Sequence, residues 1–289
     1  MTNYTKIALA LFALTIVGLG VPMANAANDT GILYQSSPGI ATLETDSIAV
    51  RVTGNNQAPH FHWWNMTNAV TDYHVMFVKM FNANDTNADG KYETSIDTIL
   101  GDPFMLPTTG WNFSDFLVIE NEGIATEVHF NFTTTESEPS ITVCVHMYAD
   151  KPNEFKFDII VENWQWADES SILVLMFTLT TSIHGEPGPG LTPAAPHKVA
   201  NKWSFGEAYF EYCETATAAE NSVEVKSSFG DGDAIYLAFE NYGDETLVYD
   251  PILGISSSET IVSLDPITIG LVGGIAIIAM LAIVLIRRR

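Results

Sequence analysis

The sequence predicts an all-β fold, on three observations. Apolar and polar residues alternate with period two through much of the 289-residue chain, turn residues separate the alternating runs, and no stretch before residue 267 carries a sustained helical apolar stripe. Period two sends successive side chains to opposite faces of a strand, so each run is expected to be half buried. Without alternation of strands and helices, the chain should form one large antiparallel β-sandwich, followed by a single C-terminal transmembrane helix.

Residues 1–26 read as a signal peptide. Lys6 supplies the positive start, residues 7–23 are almost wholly apolar, and Ala24, Asn25 and Ala26 provide a small-residue cleavage site. Strands are then expected at 48–52, 60–64, 73–81 and 113–120. Val128, Phe130 and Phe132 alternate with Glu127, His129 and Asn131. Ile141, Val143, Val145 and Met147 alternate with Thr142, Cys144, His146 and Tyr148, and Phe155, Phe157, Ile159 and Val161 with Lys156, Asp158, Ile160 and Glu162. Residues 172–179, apolar on both faces, suit a central strand. Later strands are expected at 204–212, 223–226, 235–240 and 246–249, with turns at Glu122-Gly123, Asp150-Lys151-Pro152 and residues 230–232.

Residues 185–196 hold four prolines and three glycines and cannot pair within a sheet. The roughly 70 residues between them and the anchor are few for an independent core. The stretch is therefore read as a long loop inside one sandwich spanning 27–254, with 255–266 as a short stalk. Residues 267–286 contain no charge; at about 1.5 Å per residue their helix spans about 30 Å, the thickness of the hydrocarbon core. Arg287, Arg288 and Arg289 form a basic tail that places the C-terminus in the cytoplasm and the N-terminal domain outside the cell membrane. Gly270 and Gly274 form a small-xxx-small pair through which two such helices could meet as a homodimer.

Between signal and anchor lie 35 acidic and 8 basic residues, a formal charge of −27. That field repels nucleic acid and favours cations. Only Cys144 and Cys213 are present; outside the cell a disulfide between them is permitted, with two unpaired buried thiols as the alternative. Sequons at Asn28, Asn65, Asn84, Asn112 and Asn131 suit a glycoprotein. No nucleophile elbow, phosphate loop, dinucleotide-binding glycine turn or His-Glu-x-x-His helix is present, and the chain is not read as an enzyme.

The most specific local motif runs from Asp85 to Glu93. Asp85, Asn87 and Asp89 offer oxygens at alternate positions, Gly90 permits a sharp turn, Lys91 offers its carbonyl, and Glu93 acts directly or through water. This resembles the first nine positions of an EF-hand or dockerin-type calcium loop. It departs at the twelfth, where Ile96 replaces the bidentate acid and Asp97 is one place out of register. An ordinary polar hairpin loop is the plainer alternative. His60 and His62, two apart on an expected strand, share a face in a way that can hold zinc or copper; Cys144, His146 and His129 form a second group of donors. Against this stands the ordinary reading, histidines on the polar faces of strands. Trp164 and Trp166 are expected to share one strand face, as sugar-stacking residues can, with core filling as the alternative.

The cleavage site at 24–26, the loop at 85–90 and the closing segment 267–289 together make the chain resemble the membrane-anchored surface proteins encoded in many archaeal genomes. That resemblance implies a cell-envelope location and no particular activity. The sequence thus points to a calcium-stiffened surface glycoprotein with a structural or adhesive role and envelope proteins or glycans as partners. A carbohydrate- or solute-binding module is the alternative, and an exported metalloenzyme a further one.

Overall fold

Alternating apolar residues drive this chain into strands, and the strands hydrogen-bond as an antiparallel, all-β structure. The computed structural model describes residues 31–54, 56–185, 196–230 and 234–256. The expected signal peptide, membrane span and basic tail, most of the stalk, Asn28 and residues 186–195 lie outside them. Among the described residues, no helix is long and apolar enough to cross a membrane.

The first half comprises β1 (Leu33–Ser37), β2 (Ile40–Glu44), β3 (Ile48–Thr53), β4 (His60–Asn65), β5 (Thr71–Asn84) and β6 (Thr98–Met105). It continues with β7 (Trp111–Asn121), β8 (Ile124–Thr134), β9 (Ser140–Tyr148), β10 (Glu154–Glu162) and β11 (Ser171–Ile183). After the Pro/Gly stretch come β12 (His197–Val199), β13 (Lys202–Phe205), β14 (Ala208–Glu211) and β15 (Thr215–Ala218). The last are β16 (Asn221–Gly230), β17 (Ala234–Phe239), β18 (Leu247–Tyr249) and β19 (Ile252–Ile255).

Pairing in the first sheet runs β1–β2–β3–β4–β5–β11–β17–β16, with β6 beside the far half of β5. In the second it runs β7–β8–β9–β10, after which β10 pairs with β19 at its start and β18 at its end. From there β19 leads to β14, β13 and β12, and β18 to β15. Strand β16 joins the two sheets, pairing with β15 through its first half and with β17 through its second. Strands on both sides of the Pro/Gly stretch thus share one network. The strand expected over 204–212 is in fact two, β13 and β14, because the backbone reverses at Gly206 with φ +69°.

The inward faces pack on one another through aromatic rings. Phe61 on β4 lies 5.2 Å from Phe157 and 5.7 Å from Phe155 of the opposite sheet, and 5.8 Å from Phe77 beside it. Trp63 meets Phe155 and Phe205, and its indole N–H donates to the Gly254 carbonyl. Phe177 against Phe210 and Phe239 against Tyr249 repeat the contact farther along. Each buried ring contributes roughly 1.5–3 kcal/mol by leaving water.

A bulge in β5 decides what its outer face carries. Phe77 pairs with Phe177 and Lys79 with Met176, so Val78 is an extra residue. Before it His74 and Met76 point outward; beyond it the phase reverses and Phe81 and Ala83 do so. These two form a second, smaller cluster with Ile172, Val174, Ala234, Tyr236 and Ala238. Tyr92, carried back by the loop after β5, covers that cluster and lies 4.9 Å from Phe81 and 5.0 Å from Tyr236.

Truncating Phe61→Ala is expected to cost about 3–5 kcal/mol in denaturant unfolding, because the cavity opens between the two sheets. Val70→Ala, at a residue 60% exposed, is expected to stay within about 0.5 kcal/mol.

Candidate metal site

Burying Phe61 and Trp63 forces His60 and His62 to the outer face of β4. The turn after β4 then returns the chain so that His62 pairs with His74 on β5. Among the described residues, His60, His62 and His74 form a group whose ligand atoms all lie within 4.8 Å of one another. His62 Nε2 is 3.1 Å from His60 Nδ1, and the His62 and His74 rings are 4.3 Å apart between centroids. Two imidazole nitrogens bound to one tetrahedral zinc, at 2.0–2.1 Å each, lie about 3.3 Å apart. The observed separation matches that geometry.

The surroundings suit ligation by neutral imidazoles. Burial pushes His60 down to about 4, with the nearby His74 adding to the effect. Burial again leads at His62, where the His60, His74 and Arg51 charges help to push it down to about 3. His74 is also lowered by burial, against the opposing Asp72 carboxylate. Its Nε2 lies 2.8 Å from the Ser182 hydroxyl, the outer-shell contact that orients a ligating ring. Nε2 of His60 is buried without a hydrogen-bond partner. At the rim, Asp72 pairs with His184, whose ring lies 4.8 Å from Trp64.

The second histidine group takes a different form. Strand register places His129 opposite His146, with their Nδ1 atoms 2.6 Å apart and their Nε2 atoms facing Glu127 and Asp158. It lies on the second sheet, so Cys144 and His146 do not join His60 and His62. Of the two arrangements the sequence allows, the disulfide is not formed: both cysteines are free. Cys144 sits in β9 between Asn131 and Asp158, whereas the Cys213 thiol donates to Asp250. Between these two surroundings, the Lys156 ammonium bridges Asp158 and Asp250. Burial is the main cause that pushes both thiols up to about 11.

The loop joining β5 to β6 brings the expected calcium residues into one turn. Asp85 accepts the N–H groups of Asp89 and Gly90, Asp89 accepts that of Lys91, and the Asn87 amide donates to Glu93. Gly90 has φ +77°, as the sharp turn requires. Asp97, almost fully buried, accepts from Thr86 and Glu93 and closes the loop. The Lys226 ammonium donates to the Asp89 carbonyl, and that of Lys91 lies 3.5 Å from the Asp89 carboxylate. Backbone donors, the Asn87 amide and the Lys91 ammonium thus already approach the Asp85, Asp89 and Glu93 carboxylates, and among the described residues the close group of His, Cys, Asp or Glu donors is the histidine one.

Among the sequons, Asn84 and Asn112 are exposed and Asn131 is half buried. Asn65 is 6% exposed and its amide nitrogen, the atom a glycan would occupy, donates to Glu207. Trp164 and Trp166 lie beyond the end of β10, not on a strand. Trp164 is buried and donates to Asn82, while Trp166 packs on Tyr242 and donates to the Gly243 carbonyl. They form no exposed pair. Sequence reasoning missed His74; the usable signal was the hairpin register, which sets residue 62 opposite 74. The chain matches no protein-family model and no curated protein sequence.

The histidine shifts imply a pH dependence for the metal-free protein. Unfolded imidazoles titrate near 6.5, so below that pH the unfolded chain takes up protons that His60 and His62 refuse until about pH 4 and 3. Stability present above pH 6.5 is therefore lost as pH falls toward 4. The denaturation midpoint should drop between pH 7 and 4.5, with a shallower fall in His62→Gln.

Proposed function

We propose that this chain is an exported, membrane-anchored β-sandwich glycoprotein whose outer sheet face binds a transition-metal ion through His60, His62 and His74. One observation carries the metal reading: three imidazoles from two adjacent strands converge within 4.8 Å, and all three are held neutral. Three imidazoles leave room for one further donor in a tetrahedral site. The export and anchoring rest on the signal-like residues 1–26, the uncharged stretch 267–286 and the three closing arginines. The strongly acidic composition draws cations to the surface.

Zinc added to the metal-free full chain in detergent is expected to bind with one equivalent that disappears in His62→Ala. At a free concentration one hundred times its dissociation constant, the ion should stabilise the wild-type fold by about 2.7 kcal/mol. Equal stoichiometry in both proteins would end this reading.

A second reading, calcium stiffening of the loop at Asp85, Asn87, Asp89, Lys91 and Glu93, is favoured by the curl that turns the Asp85 and Asp89 carboxylates toward the loop backbone. Calcium would have to displace ammonium and amide partners there, so weak binding is expected. A rise in melting temperature with millimolar calcium, absent in Asp85→Ala, supports it. No rise in the wild type refutes it.

A further inference from the structure

We propose that the histidine cluster is a copper(I) site in which Met76 supplies a fourth, thioether ligand. The inference rests on the metal reading above and names the ion. Met76 stands directly opposite His60 across the β4–β5 pair, just as His74 stands opposite His62. Directly opposed residues on one face have Cβ atoms about 4.5–5.5 Å apart, within reach of a long, flexible methionine. Four donors therefore form a two-by-two patch, with His60 and His62 on one strand and Met76 and His74 on the next. Met76 is 42% exposed and lies outside both buried apolar clusters.

The row through Met76 contains two unusual atoms. His60 Nε2 on one side and Thr178 Oγ1 on the other are both buried without a hydrogen-bond partner. Leaving such atoms unpaired costs about 1–3 kcal/mol each. Both atoms flank Met76 on the sheet face where the donors gather.

Donor chemistry selects among the ions. Imidazole serves zinc, copper and nickel alike, whereas a thioether is soft and favours copper(I). The carboxylate that acts electrostatically on His74, Asp72, is already paired with His184, which makes it a poor oxygen ligand for a hard cation. Protonation of the two half-buried thiols makes them poor competitors at neutral pH.

The test uses the full chain in detergent with Cys144→Ser and Cys213→Ser in place, so that thiols cannot contribute. Copper(I), held reduced without oxygen and buffered by a chromogenic chelator, is titrated beside zinc(II). The parent should bind one copper(I) equivalent that His62→Ala loses. Met76→Leu, a volume-conserving change at an exposed site, should weaken copper(I) at least about 10-fold, since loss of an outer-shell partner alone costs that much. Zinc affinity should stay within about threefold, since thioether sulfur adds little to it. If zinc binds through His62 but Met76→Leu leaves copper(I) unchanged, the thioether inference is overturned and the histidine site stands. If neither ion shows a His62-dependent equivalent, both fall.

Discussion

Phe61 and Trp63, wedged against Phe155, are the contact on which the outer face of the first sheet depends. A pleated strand cannot choose its two faces separately: once one set of side chains is buried, the alternate set must face out. A slip of one residue in β4 would bury His60 and His62 and expose two aromatic rings. The burial of Tyr73 and Val75 imposes the same choice on β5 and turns out His74 and Met76. The histidine cluster is thus a consequence of core packing on the opposite side of the same strands.

The bulge at Val78 divides that outer face into two territories. On one side of it the face stays polar and carries the histidines. On the other it turns apolar and must be covered, a task met by Tyr92 and the loop that carries it. This gives the acidic loop a packing role that does not depend on any ion. Its carboxylates are turned inward by backbone N–H groups, and Asp97, which the calcium-loop spacing leaves out of register, serves as the closing acceptor.

The two sheets treat their histidines differently because the neighbours differ. On the second sheet, His129 and His146 have a carboxylate at each outer nitrogen and face each other through the inner ones, so their hydrogen bonding is complete. On the first, the cluster keeps an unpartnered nitrogen at His60, and His74 bonds a hydroxyl while the nearby Asp72 carboxylate pairs with His184 instead. Incomplete satisfaction is what separates a receptive group of donors from a self-contained one.

Local pattern alone was enough to read the all-β class, most of the long strands and the outward direction of His60 and His62, because period two is written in consecutive residues. The same pattern hid β1 and β6, whose exposed or half-exposed residues at the sheet edge carry no buried alternation. It also misjudged Trp164 and Trp166, since the end of β10 is set by its partners and not by its composition. Which histidines meet, whether two thiols face each other and where a loop folds back depend on residues distant in sequence. Those arrangements are decided by strand register, by the bulge in β5 and by the packing of one sheet on the other, and so only the tertiary structure brought His74 and Met76 beside His62 and His60.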